Sequence, residues 1–274
     1  MWRERCTFPA GAVPFVRKFH LVACIVQLIT GSVLWFLADS DTVAFSIPLY
    51  TLYTNTTSAA MRLTDAWVPS PVFIGHFHAG YSSAAFLFLS ALNHFICATN
   101  FVGCCKYIEW VEERRASPVR WGEYAFSASL MHVQIAILCG ILDVHLLAAI
   151  GALTATNMVF GLAQELQYDR SFKLYILGFI PWVAQWALII SYFNHGVRDS
   201  SAPDWVYAII VIECVLDFTF AVVLVRQEGE FENVKGDYRS KGDNRMLKFD
   251  TAFIVLSLTA KQSLAWVNYG GARH

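Results

Sequence analysis

The chain has 274 residues, and its 20 basic and 21 acidic side chains nearly balance, so it lacks the strongly basic field that nucleic-acid binding needs. Hydrophobic residues make up 56% of it, charged residues only 15%, and mean hydropathy is +0.46. These proportions exclude an ordinary soluble globular domain and point to a protein that lives in a bilayer.

The basic residues around Met1-Trp-Arg-Glu-Arg-Cys6 and the Pro and Gly that follow are not expected to form a cleavable signal. The first apolar run, near 20–37, is therefore expected to insert as an anchor. After it, Phe45-Ser-Ile-Pro-Leu-Tyr-Thr-Leu-Tyr53 alternates in the manner of a strand, which predicts a short β-hairpin in the loop between the first two helices. Asn55-Thr56-Thr57 in that loop is a glycosylation acceptor triplet.

Further apolar segments follow near 77–98, 121–142, 145–164, 174–193, 205–224 and 249–269. The expectation is an all-α protein, a single seven-transmembrane-helix domain spanning 1–274. Pro118 suits a first helical turn, whereas Pro181 lies inside the fifth segment and should kink it. The seven cysteines contain no CxxC pair and are expected to be free thiols; adjacent Cys104 and Cys105 read as small packing residues or as lipidation sites.

Basic residues set the expected orientation. Arg3, Arg5, Arg17 and Lys18 precede the first helix, Lys106, Arg114, Arg115 and Arg120 the third, Arg170 and Lys173 the fifth, and Arg226, Lys235, Arg239, Lys241, Arg245 and Lys248 the seventh. The other side holds only Arg62, Arg198 and Arg273, which predicts a cytoplasmic N-terminus and an outer C-terminus.

Lys261 is the residue least at home in this pattern. It lies about 12 residues, or roughly 18 Å, into the last apolar segment. An ammonium there costs about 3 kcal/mol, so it demands a partner charge or a covalent fate such as a Schiff base. Snorkelling to the interface is the plainer alternative. Glu123, in Arg120-Trp-Gly-Glu-Tyr-Ala-Phe-Ser127, is the candidate partner, unless it pairs instead with Arg120 on the same helical face. Ser90 and His94 share a face of the second helix, as do Glu123 and Ser127 on the third. No loop presents a nucleophile with its base, a metal cluster or a phosphate loop, so no enzyme is expected.

These residues together resemble the heliorhodopsins, seven-helix retinal proteins with inverted orientation. The resemblance spans all seven segments and rests on Arg120 to Met131, on Phe86-Leu-Phe-Leu-Ser-Ala-Leu-Asn-His94, Pro181-Trp182, Val206-Tyr-Ala-Ile209 and Ser257-Leu-Thr-Ala-Lys261. It implies all-trans retinal on Lys261 as a protonated Schiff base with Glu123 as counterion. It implies that Ser90, His94, Tyr124 and Ser127 surround that linkage, that Trp182 helps to enclose the chromophore, and that the protein forms a homodimer.

Two departures stand out. Gln27 occupies the place where the family carries a first-helix His, and Glu213 and Asp217, four apart on one face of the sixth helix, replace apolar or neutral residues. Two functions follow: a light sensor read by an unidentified cytoplasmic partner, or light-gated passive proton transport through Glu123, Glu213 and Asp217. Glu213 and Asp217 can equally be protonated, hydrogen-bonded acids at a helix contact.

Overall fold

A computed structural model describes residues 12–40, 46–54, 69–99, 107, 110–111, 115–167, 171–198, 202–232 and 245–271. The triplet at Asn55, the Cys104-Cys105 pair and much of the basic loop sequence lie outside the described residues. Seven long helices form in chain order: α1 (Ala12–Ser40), α2 (Ala79–Thr99), α3 (Pro118–Leu138), α4 (Val144–Leu166), α5 (Lys173–Gly196), α6 (Asp204–Glu232) and α7 (Arg245–Gly271). Between α1 and α2, strands β1 (Ser46–Thr54) and β2 (Pro69–His78) pair antiparallel.

Most helices run past the apolar segments that announce them. α1 begins at Ala12 rather than near His20, and α6 continues to Glu232 rather than stopping near Leu224. Hydropathy marks only the part of a helix that faces hydrocarbon, whereas backbone hydrogen bonding carries the helix on into polar surroundings. Five helices are long and apolar enough to cross a membrane on composition alone; α3 and α7, which carry Glu123 and Lys261, are not among them.

One apolar core draws on all seven helices, with Leu34, Phe86, Ile135, Ile150, Ile189, Ile209 and Leu264 each almost fully buried. Polar pairs tie neighbouring helices within it. Gln134 Nε2 donates to Ser83 Oγ at 2.9 Å between α3 and α2, and Thr154 Oγ1 donates to Gln185 Oε1 at 2.7 Å between α4 and α5. Such bonds satisfy groups that hydrocarbon cannot.

Asp143 helps to fasten the hairpin to the bundle. Asp143 caps α4 by accepting from Leu146 N at 2.8 Å, and its other carboxylate oxygen accepts from Leu52 N of β1 at 3.0 Å. Tyr50 N donates to Leu142 O beside it. The first strand therefore continues its hydrogen bonding onto the α3–α4 turn, and the segment expected to open the second helix at Phe77 belongs to β2.

Candidate functional site

Lys261 is 2% exposed and its ammonium is saturated. Nζ donates to Glu123 Oε1 at 2.9 Å, to Ser257 Oγ at 2.8 Å and to Ser90 Oγ at 3.1 Å. Three donors meet three acceptors drawn from α3, α7 and α2. Ser257 stands one turn N-terminal to Lys261, in the direction a helical side chain leans, so the lysine is held back along its own helix. Nζ also lies 5.0 Å from the centre of the Tyr124 ring, a favourable place for a cation.

Arg120, the rival partner for Glu123, is engaged elsewhere. Its guanidinium pairs with Asp250 of α7 at 2.7 Å and with Glu165 of α4, and it lies over the rings of Phe253 (4.2 Å) and Trp121 (5.5 Å). This leaves Glu123 to Lys261. The Arg120 cluster extends further: Tyr107 donates to Asp250, His20 Nε2 lies 3.2 Å from the same carboxylate, and Gln227 Nε2 donates to Glu165 at 2.8 Å. Asp250, Glu165 and Tyr107 were not singled out in the sequence, because their long separations from the residues they pair with give no local pattern to read; Ser257 opens the motif that ends at Lys261, one turn before it, but was given no role.

The first-helix position needs correction. Because α1 starts eight residues before its apolar run, His20 lies well inside it, and His20 Nδ1 is 2.9 Å from His94 Nδ1. Gln27 is fully buried, and its amide has no hydrogen-bond partner among the described residues. The chain therefore has a histidine in its first helix, His20, against His94, seven residues before Gln27.

A cavity of about 1010 Å³, open mouth included, has Lys261 in its lining. Trp121, Tyr124, Met131, Phe179, Trp182 and Phe220 supply much of its wall, and Ser127 lines it with a hydroxyl that has no partner among the described residues. Trp121 can lie along this wall only because residue 161 is glycine: a Cβ there would stand 2.3 Å from the indole ring. Glu123, Ser90 and His94 sit behind Lys261, outside the lining.

Asp217 and Glu213 also line the cavity. Asp217 Oδ2 accepts from Trp182 Nε1 at 2.7 Å and from Trp186 Nε1 at 2.9 Å, and stands 3.4 Å from His132 Nε2. His132 and Trp186 were likewise not legible as site residues. Glu213 is 4% exposed, and its Oε1 has no partner among the described residues.

A buried lysine at one end of an aromatic slot is one half of the diagnosis; the Heliorhodopsin family profile, which matches residues 16–272, is the other. The chain belongs to the heliorhodopsin family. Heliorhodopsins are retinal-binding, light-responsive, multi-pass integral membrane proteins and are not in general enzymes. Solved structures similar to this heliorhodopsin include a cyanorhodopsin from the cyanobacterium Calothrix sp. NIES-2098, at 11% identity and TM-score 0.63, with 96% of each chain covered. Xanthorhodopsin, described as a light-driven ion pump with dual chromophore, matches at 12% identity and TM-score 0.57 over 97% of this chain and 95% of its own. A cyanorhodopsin from Tolypothrix sp. NIES-4075 matches at 11% identity and TM-score 0.54 over 95% and 99%. At these identities the likeness is one of fold. No curated protein sequence matches the chain.

The residues present fit retinal. An apolar polyene aldehyde needs a reactive amine at the end of an apolar slot. Lys261 supplies the amine, the aromatic wall supplies the slot, and Oε2 of buried Glu123, without a partner among the described residues, leaves acceptor capacity next to the amine.

Proposed function

We propose that this heliorhodopsin is a light sensor in which Lys261 holds all-trans retinal and Glu123 is the counterion. Retinal supplies light absorption and isomerisation; the chain supplies its placement and the fate of the proton at Nζ. The observation that carries this reading is the Lys261 to Glu123 contact at 2.9 Å at the head of the cavity.

The saturated ammonium explains how the proton is held. Once Nζ is bonded to the retinal carbon it retains a single N–H in its protonated form, so Glu123, Ser90 and Ser257 compete for one donor. The carboxylate makes the charge-assisted bond, the stronger kind by about twofold, and makes it in a buried site. The two serines are left to take up the proton's neighbourhood when the nitrogen turns away. Beyond them, the His94 to His20 contact leads to Asp250 and the Arg120 cluster, a hydrogen-bonded connection across the bundle that can pass a charge change from α2 to α1, α7, α3 and α4.

The rest of the reading follows from the sequence. On this reading one seven-helix domain spans 1–274, the distribution of basic residues supports a cytoplasmic N-terminus and Arg120 side, and an unidentified cytoplasmic partner reads the signal from a homodimer. A second reading, light-gated passive proton transport through Glu123, Glu213 and Asp217, is favoured by one observation: both α6 carboxylates line the cavity that starts at Lys261.

Voltage clamp of cells expressing the coloured protein, under flashes and at several pH gradients, tests the choice. Silence from a surface-expressed pigment supports the sensor. A photocurrent that reverses with the proton gradient replaces it with the transport reading.

A further inference from the structure

The cavity that Lys261 lines also carries a second group of polar side chains. Glu213, His132 and Asp217 all line it, on α6 and α3, and they gather where α5 contributes Trp182 and Trp186. The amine end is built from α2, α3 and α7. On α3 alone, Glu123 and His132 are nine residues apart, roughly 13 Å of helix. The polar group is thus well separated from the amine along the same space.

Its hydrogen bonding is incomplete. His132 Nδ1 faces the Ala128 carbonyl at 2.9 Å and must donate to it, which leaves Nε2 directed at the Asp217 side. Asp217 Oδ2 already accepts from two indoles. Glu213 Oε1, buried and lining the cavity, has no partner among the described residues. A buried carboxyl oxygen without a partner is costly, and a ligand hydroxyl placed against it removes that cost.

We infer that this cavity is built for a retinal whose ring carries oxygen, a hydroxylated retinal aldehyde, with the ring hydroxyl donating to Glu213 and lying beside His132 and Asp217. The inference rests on Lys261 as the attachment site. It adds a second recognition point at the other end of the cavity. Glu213 is then a specificity residue: it favours the oxygenated ring over the plain one without touching the amine.

The test titrates the full-length apoprotein with all-trans-retinal, all-trans-3-hydroxyretinal and all-trans-4-hydroxyretinal, reading half-saturation of the visible band. In parallel, β-ionone and 3-hydroxy-β-ionone, ring fragments without an aldehyde, are titrated against the intrinsic tryptophan fluorescence of the protein. At least one hydroxylated aldehyde should bind about tenfold tighter than plain retinal, the worth of one buried hydrogen bond, and the hydroxylated fragment should bind tighter than its parent. In Glu213→Leu the preference should vanish while plain retinal binds at least as well; Glu213→Gln, which keeps an acceptor, should retain part of it. Equal binding of all three aldehydes and both fragments by the unaltered protein overturns the inference and assigns the polar groups to bound water. A preference that survives Glu213→Leu overturns it as well. If no aldehyde forms a pigment but the fragments still discriminate, the attachment at Lys261 fails and the ring site stands.

Discussion

Lys261 and Glu123 meet at 2.9 Å across 138 residues of sequence, both nearly buried. Counted from the first residues of their helices, they sit at different depths: Glu123 is five residues into α3 and Lys261 sixteen into α7. They meet because α7 starts far out and the lysine stem leans back toward it. Breaking one member of such a pair leaves the other charge buried alone. Glu123→Ala should lower the stability of the apoprotein by about 3–5 kcal/mol, read as a drop in thermal unfolding temperature in detergent.

The same contact sets colour. A carboxylate beside a cationic nitrogen stabilises the ground state more than an excited state whose positive charge has moved along the polyene. Glu123→Gln should therefore shift the visible band to longer wavelength, and an unchanged or blue-shifted band in a folded protein would remove Glu123 from the counterion role.

Arg120 holds two carboxylates and two aromatic rings together at one end of the bundle. Arg120→Gln keeps some hydrogen bonding but leaves Glu165 and Asp250 without their cation, at a cost of about 3–5 kcal/mol. Restoring near-normal unfolding with Arg120→Gln combined with Asp250→Asn and Glu165→Gln would show that the cost lies in the orphaned charges rather than in packing.

Gly161 determines whether Trp121 can line the cavity. With 2.3 Å between an added Cβ and the indole, Gly161→Val must push the ring aside. Pigment formation should slow or fail while far-ultraviolet circular dichroism stays helical. Normal pigment yield would mean that Trp121 can move without narrowing the cavity.

If protons cross, Glu213→Gln or Asp217→Asn should reduce the photocurrent in a protein that remains coloured. Asp217→Asn also loosens the two tryptophan hydrogen bonds, so its pigment should bleach faster on heating than that of Glu213→Gln. Unchanged current in both variants would dismiss the relay.

The seven helices were legible because each carries an apolar run, and Lys261 and Glu123 were legible because charge is scarce inside such runs. The hairpin was readable only as one alternating strand; β2, rich in Pro and Gly at Pro69, Pro71 and Gly75, hides its pairing. His20 stood at the very start of the expected first segment, 20–37, and only the extension of α1 back to Ala12 puts it well inside a helix, which is why attention fell on Gln27. Glu165 and Asp250 lie near helix ends, where carboxylates are ordinary, and only the fold turns them onto Arg120. His132 is a single polar residue on an apolar face, and its meaning comes entirely from Asp217 opposite.

The most direct test of the account is the visible spectrum of Lys261→Ala prepared with all-trans-retinal beside the unaltered protein. The account predicts a visible band from the unaltered chain and, from a helical, monodisperse variant, only the near-ultraviolet absorption of free retinal. A red-shifted, hydroxylamine-resistant pigment from Lys261→Ala would contradict it.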